Sequence, residues 1–564
     1  MHRLTANPDR VAEFESAGWW GTETLSSLFT STVQKATDAV ALADPANREA
    51  LTGGPPQRLT YAELDEACAL LARQLYAAGL RQGDRVVVQL PNTVEIILTY
   101  LAAAQLGLVV SPVAVQYREH ELRHVGETVR PKAYITCPSL GEASFAESNH
   151  AALPTQTQRL DFDLSAASCR LTKDGQELSA DPDGADEYLA SLTQSANDIY
   201  TICWTSGTTG RPKGVPRSHN HWLSSTLASE DAIGLSDGDV MLCPFPFVNM
   251  AALGGFLYYW LKIRGTLVLH HPFDPMVFLK QIAQEKVVYT VAPPAVLNLL
   301  LQRRDELLAP FDLSSLKTIG SGSAPLAPDM VAGFKTHTGI DIINLYGSNE
   351  GAAMISNPAD VPDPRERALY FPRFGRPEFS WKNRAGQRQR TELVDLESRD
   401  PITEPGKSGE LLIAGPSVFD GYFESPEDNA EAFENGFFRT GDLFEIVGPE
   451  NQYYRFVGRC KDIIVRGGVK ISPEELDEVI QSHPQIAEGA VCAYEDATLG
   501  EKVCAVVVPV PEASITLEGL VAHFQERQMA KFKWPERLVV LEALPRNAMN
   551  KVVRSALADM VAQG

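Results

Sequence analysis

The chain has 564 residues, 72 Asp and Glu against 50 Lys and Arg, and a formal net charge of −22. That length calls for roughly two to four structural units, and the acidic balance argues against nucleic acid or an anionic membrane as partner, since both need positive surface. Eight cysteines (Cys68, Cys137, Cys169, Cys203, Cys243, Cys460, Cys492 and Cys504) lie scattered without a CxxC pair, which speaks against a zinc site or disulfide framework and fits a reducing compartment.

The N-terminal stretch MHRLTANPDRVAEFE has no apolar core, so no signal peptide is expected. The longest apolar stretches, 96–110 and 247–261, fall short of the ~18–20 residues of a membrane span and read as buried helices. A soluble, cytoplasmic protein is the expectation. Residues 25–36 carry a helical pattern, and the spacing of Thr60 to Glu63 is that of a capping box ahead of a helix reaching about Leu80. A turn at Gly83-Asp84 feeds a strand at 85–90, a helix follows over 94–106, and another strand over 108–113. Strand, helix, strand at this spacing predicts a largely parallel sheet. Residues 138–196 read as surface loops with short strands. Further short strands at 200–204, 239–244, 266–270, 287–291, 317–320 and 342–346 alternate with helical stretches and predict a large α/β core. Residues 376–421 turn to short strands and turns, clearest at 409–413. From Tyr453 a compact α+β unit is expected, with strands at 453–457, 462–465, 486–494, 502–510 and 537–541 and helices at 472–482 and 516–528.

The loop after the 200–204 strand reads Thr205-Ser206-Gly207-Thr208-Thr209-Gly210-Arg211-Pro212-Lys213. Four hydroxyls, two glycines and a lysine suit an anion, because glycine lets the backbone approach and successive N–H groups form a concavity. Such clusters also make plain surface loops. It is not a Walker loop, since Gly-Lys-Ser/Thr is absent. Five more segments follow: SGSAPL at 321–326, YGSNE at 346–350, FRTGD at 438–442, GRCKD at 458–462 running into ISPEE, and LPRNAMNK at 544–551.

In this order the six segments resemble the adenylate-forming superfamily of acyl-CoA synthetases, luciferases and peptide-synthetase adenylation domains. KDIIVRGG at 461–468 and AKFKWPE at 530–536 look closest to the fatty and medium-chain acyl-CoA synthetase branch. The resemblance implies an α/β fold: a large N-terminal domain of parallel-type sheets with helices and a distorted β-barrel part (1–458), a hinge (459–461) and a small mobile C-terminal α+β domain (462–564). It implies an ATP-dependent carboxylate–CoA ligase, which forms an acyl-adenylate and pyrophosphate and then a thioester and AMP, with ATP, Mg²⁺ and coenzyme A as cofactors. A small carboxylic acid would be the partner, with no nucleic acid and no membrane span, and a homodimer stays open.

Residue by residue, the resemblance implies that Thr205 to Lys213 hold the β- and γ-phosphates and that Glu350 is a magnesium ligand, as a hard oxygen donor should be. Tyr346, Gly347, Ser323, Ala324 and Pro325 would sandwich the adenine, Asn349 would face the α-phosphate, and Asp442 with Arg459 would hold the ribose. Lys551 would bridge the attacking carboxylate and the α-phosphate, Lys461 would be the hinge, and Gly467 and Gly468 would line the thiol channel. Phe247, Asn249, Met250, Gly322, Gly347 and Met354 would shape the acyl pocket. The chain departs from the family pattern at Asn349 (threonine), Asn249 (often histidine) and Asn550 (glycine), and in the basic stretch 380–396. Two rivals remain: an acyl- or aryl-AMP ligase loading a carrier-protein thiol, and a non-catalytic nucleotide-binding scaffold.

Overall fold

Thr60 starts the helix Tyr61–Ala77 as its spacing to Glu63 predicts. Its N–H donates to Glu63 Oε2 at 2.8 Å, and the Glu63 N–H returns to Thr60 Oγ1 at 3.2 Å, so two orphan donors are satisfied reciprocally. The computed structural model describes residues 4–166, 169–205, 211–467, 469–496, 498–546 and 552–563. The apolar stretch after Asn92 becomes the helix Val94–Leu106, buried at every position but Gln105. A helix apolar all round belongs in the middle of a large core, and this one packs against Tyr61–Ala77. Among the described residues no helix is long and apolar enough to cross a membrane.

Two eight-stranded sheets form the bulk of the chain. In one, Asp341–Gly347, Thr318–Gly322, Tyr289–Val291, Val240–Cys243, Thr266–Leu269 and Val40–Ala43 run parallel, between antiparallel edges Ala353–Ser356 and Arg58–Thr60. In the other, Gln158–Phe162, Ala133–Thr136, Arg85–Val88, Val109–Pro112 and Ile199–Trp204 run parallel, with Gly214–Ser218 antiparallel at one edge. These strands are nearly continuous apolar runs, as sheets covered on both faces require. A buried ion cluster ties the two sheets together. Arg48 donates to Asp44 Oδ2 (2.8 Å), just past the strand Val40–Ala43, and to both oxygens of Glu95 (2.6 and 2.9 Å) in the helix Val94–Leu106.

The third sheet is antiparallel, in the order Tyr370–Pro372, Tyr453–Arg459, Phe437–Val447, Ser408–Ala414 and Arg390–Val394, with Phe433–Glu434 beside Phe437–Val447. It stands where the distorted barrel is expected and is not closed: among the described residues its outer strands, Tyr370–Pro372 and Arg390–Val394, do not pair with each other. It also claims Tyr453–Arg459: the strand pattern at 453–457, read above with the C-terminal unit, lies instead on the large-domain side of the boundary at 458 that the resemblance implies. That unit is a fourth sheet, Val469–Ile471, Ile464–Arg466, Gly500–Pro509 and Ile486–Asp496, with Arg537–Val540 parallel to Gly500–Pro509. The helices Pro473–Gln481 and Leu517–Glu526 bury Leu476, Ile480, Leu520 and Phe524 with it.

The basic stretch 380–396 now has a physical account. Arg384 pairs with Asp231 (2.6 Å) at the end of the helix His219–Ile233, Lys382 N–H donates to Asp360 Oδ1 (2.6 Å), and the buried Asn383 side chain donates to Ala228 O (3.0 Å). The segment clamps the third sheet to that helix.

Candidate active site

Four loops leave the C-terminal ends of parallel strands in the two large sheets, and they carry most of the candidate residues. Thr205 follows Ile199–Trp204, Asn249 follows Val240–Cys243, Ser323 follows Thr318–Gly322, and Asn349 and Glu350 follow Asp341–Gly347. Crevices outside the carboxyl ends of strands are where α/β sheets bind ligands.

The glycine- and hydroxyl-rich loop joins the antiparallel strands Ile199–Trp204 and Gly214–Ser218, and its base is pinned twice. Thr205 N–H donates to Lys213 O and Lys213 N–H to Thr205 Oγ1, both at 3.0 Å. His124 adds a bond from outside, Nε2 to Pro212 O at 2.7 Å. Ser206, Gly207, Thr208 and Thr209, like Gly468 and Lys551, lie outside the described residues.

Asn349 is committed at both ends of its amide. Nδ2 donates to Trp204 O (2.7 Å), the residue before the loop, and Oδ1 accepts from Met250 N (2.9 Å). It therefore braces the loop strand against the helix that starts at Met250, whose N-cap is Asn249 through Oδ1 to Ala252 N at 3.3 Å. That helix continues through a π segment, Leu253–Leu257. Phe247 and Met354 are packed at 0 % exposure, whereas Met250, Gly322 and Gly347 keep exposed surface. Gly322 is there for close approach: a Cβ would stand 2.0 Å from Leu345 O.

Glu350 is buried, and its Oε1 accepts from the Tyr422 hydroxyl at 2.9 Å. Burial and then the Glu350 carboxylate push the Tyr422 phenol well up, so it stays a donor. Lys213 lies 4.8 Å from the Tyr422 ring centroid and pairs with Asp428 Oδ1 at 2.6 Å. Beneath them Arg217, fully buried, donates to Asn349 O (3.2 Å), His221 O (3.0 Å), Ser225 Oγ (2.6 Å) and Ser417 O (2.8 Å), and its charge lies over Trp222. Burial pulls its pKa down to about 10, which leaves it a fixed cation behind the site. Arg217, Tyr422 and Asp428 escape sequence reasoning, because nothing local marks an arginine in a strand or a tyrosine after Gly421.

A second group forms where the third sheet meets Asp341–Gly347. The Tyr346 hydroxyl donates to Asp442 Oδ2 at 2.7 Å, and Arg459 Nε lies 3.4 Å from Asp442 Oδ1. Asp442 and Arg459 are register partners across two strands, so sheet pairing alone places them together. Glu410 braces this part of the strand Phe437–Val447 by accepting from Gly441 N at 3.2 Å, and Gly441 has φ +69°. The Tyr346 ring stands T-shaped to Phe371 and Phe444. Ser323 (φ +70°), Ala324 and Pro325 form an exposed turn just past Gly322. Lys461 sits in the turn between the third and fourth sheets, and Gly467 (φ +57°) turns the hairpin of Ile464–Arg466 with Val469–Ile471.

Residues 29–423 match the family model of the AMP-binding enzyme, and residues 475–551 that of the AMP-binding enzyme C-terminal domain. The chain belongs to the AMP-binding family of adenylate-forming enzymes. Within it, the chain is 32 % identical over 562 residues to the medium-chain fatty-acid–CoA ligase of Escherichia coli, covering 98 % of this chain and 93 % of that one. It is 28 % identical over 574 residues to the 2,3-dihydroxybenzoate-AMP ligase of Bacillus subtilis, at 99 % and 98 % coverage. Among solved structures it superimposes on ATP-bound MatB of Rhodopseudomonas palustris with a TM-score of 0.75 and 26 % identity, covering 95 % of this chain and 99 % of MatB.

Gly351, next to Glu350, gives a sharp prediction for this AMP-binding enzyme. Its φ is +92°, and a Cβ would stand 1.9 Å from Ser417 O, a backbone atom that cannot step aside. Gly351→Ala therefore combines positive-φ strain with a backbone clash, each costing about 1–3 kcal/mol. The expected result is a fall in the denaturant midpoint together with loss of nucleotide binding, since the neighbouring carboxylate must move. An unchanged midpoint would contradict the geometry.

Proposed function

We propose that the protein is an ATP-dependent carboxylate–CoA ligase acting through an acyl-adenylate, with release of pyrophosphate and then AMP. The observation that carries this reading is the gathering of Lys213, Glu350, Tyr346, Asp442 and Arg459 around the carboxyl ends of the parallel strands. The carboxylate of Asp442 is positioned to accept from ribose hydroxyls, with the Arg459 guanidinium beside it. Tyr346 offers a ring face for adenine, and the turn Ser323 to Pro325 the opposite wall. Thr205 and Lys213 hold the mouth of the loop that would take the β- and γ-phosphates. Asn349 is already spent on Trp204 and Met250, so its part is to align loop and acyl helix before it can reach an α-phosphate. Met250, Gly322 and Gly347 offer exposed surface for the acyl group.

Glu350 fits a magnesium ion of the kind a nucleotide brings. Its Oε2 has no hydrogen bond among the described residues, and Mg²⁺ is usually held by one or two carboxylates plus phosphate and water. Among the described residues no group of three or more His, Cys, Asp or Glu could hold a metal. When bound, the ion would offset charge on the phosphates. The strand ends support a division into 1–458, a hinge at 459–461 and 462–564: the third sheet ends at Arg459, the fourth begins at Ile464, and Lys461 lies between them.

The test is a pyrophosphate-release screen over short, medium, aromatic and polycyclic carboxylates, with and without coenzyme A. Release that coenzyme A accelerates, with formation of its thioester, is expected. Release without any use of coenzyme A would favour an acyl- or aryl-AMP ligase, a reading supported by the full-length similarity to the dihydroxybenzoate enzyme. No release with any acid would leave only the scaffold.

A further inference from the structure

The segment from Tyr422 to Asn429 has no part in the chemistry proposed above, yet it sits on both charged groups which that chemistry needs. Tyr422 caps Glu350 through its hydroxyl, and Asp428 holds Lys213. The segment is itself firmly held. Phe423 N–H donates to Gly214 O at 2.8 Å, one residue past Lys213. The Asn429 amide closes the turn on Tyr422, accepting from its N–H (2.6 Å) and donating to its carbonyl (2.9 Å). The Ser425 hydroxyl donates to the second oxygen of Asp428, and Arg130 pairs with Glu424 at 2.9 Å. Asp428 lies in the first turn of the helix Pro426–Ala432, where a carboxylate is favourable.

Lys213 is thus in contact with a fixed anion whose position depends on its own backbone neighbour. Its side chain and that of Asp428 are 29 % and 34 % exposed, and ion pairs at that exposure are weak enough to exchange. A polyphosphate carries several negative charges to the same ammonium, and Asp428 repels it.

We propose that Asp428 is a competing counter-ion for Lys213, so that the polyphosphate of the nucleotide, and pyrophosphate after it, binds by displacing this carboxylate from the lysine. The inference rests on the reading of Lys213 as a phosphate ligand. Asp428 is then a positioning residue: it stations the ammonium at the mouth of the loop, weakens the hold on ATP, and takes the lysine back as pyrophosphate leaves. Ligands without β- and γ-phosphates do not compete with it.

The experiment measures equilibrium binding of ATP, pyrophosphate and AMP, each with magnesium, to the wild type, Asp428→Asn, Lys213→Met and the double variant. Asp428→Asn is expected to bind ATP and pyrophosphate about two- to five-fold more tightly, the range of an exposed ion pair, with AMP unchanged. In the Lys213→Met background the same change should lose most of that gain, because the coupling runs through the lysine. A looser hold on ATP in Asp428→Asn, an equal shift for AMP, or a gain that survives Lys213→Met would overturn the proposal, since each points to a structural role or to a general charge effect. Failure of the wild type to bind ATP or pyrophosphate at all would instead bring down the reading of the site on which the proposal stands. Unfolding midpoints of the four proteins, expected to coincide, show that folding is not what is being read.

Discussion

Arg48→Met is expected to destabilise the protein by about 3–5 kcal/mol, the cost of breaking a buried ion pair by removing one partner. The side chains of Arg48, Asp44 and Glu95 are at 0, 0 and 1 % exposure, so water cannot solvate the carboxylates left behind. Arg48 also donates to Leu164 O at 3.0 Å, and Asp44 accepts from Gln57 N and Val94 N at 2.9 and 2.8 Å. One guanidinium therefore holds together an end of each large sheet. The pH dependence gives the sign. Burial pushes the Asp44 carboxyl up to about 6, although Arg48 opposes the shift, and loss of Arg48 removes that opposition. An acid whose folded-state pKa lies above its unfolded value contributes stability at low pH and loses it as pH rises through the folded value. The deficit of Arg48→Met should therefore be larger at pH 8 than at pH 5, as read from denaturant unfolding at both. A deficit under 1 kcal/mol at pH 8 would mean that the cluster is solvated.

The parts of the fold that were legible are those whose cause is local. The capping box at Thr60, the alternation of strands and helices, and the helices at 472–482 and 516–528 all follow from spacing within one or two turns. The parts that were not depend on partners far away in sequence. Tyr453–Arg459 reads as a strand wherever it goes, but only its pairing with Phe437–Val447 and Tyr370–Pro372 decides its sheet. The strand Gln158–Phe162, parallel to Ala133–Thr136 on one side and antiparallel to Leu171–Lys173 on the other, was hidden in a stretch rich in polar residues. The basic stretch 380–396 made no sense until Asp231, about 150 residues earlier, met Arg384. The candidate site divides in the same way. The motifs announced Tyr346, Glu350 and Asp442, but Tyr422, Asp428 and Arg217 act through contacts that no motif records. Asn349 shows the limit from the other side. The resemblance sets it facing the α-phosphate, and what no motif records is that its amide couples Trp204 to Met250.

Lys551→Ala is expected to lower adenylate formation by about 10²–10³-fold, the cost of losing one group that stabilises developing charge. Thioester formation from supplied acyl-adenylate should stay within about tenfold of the wild type, because the carboxylate and phosphate that the lysine would bridge have already reacted. The segments on either side of it are anchored by bonds of their own. Val553 N–H donates to Pro545 O at 2.9 Å, Arg546 bridges to Val552 and pairs with Glu488 at 2.8 Å, and Leu544 is buried with Cys492 and Cys504 against the fourth sheet. Arg554, at the start of the helix Arg554–Gln563, donates to Val491 O at 2.6 Å and to Asp477 Oδ2 at 2.5 Å. Each of these bonds survives truncation at 551, so the variant should unfold at the wild-type denaturant concentration. Pyrophosphate exchange measures the first half-reaction and single-turnover transfer from synthetic acyl-adenylate the second. Equal loss in both would take Lys551 out of the adenylation step and make it a support for the small sheet.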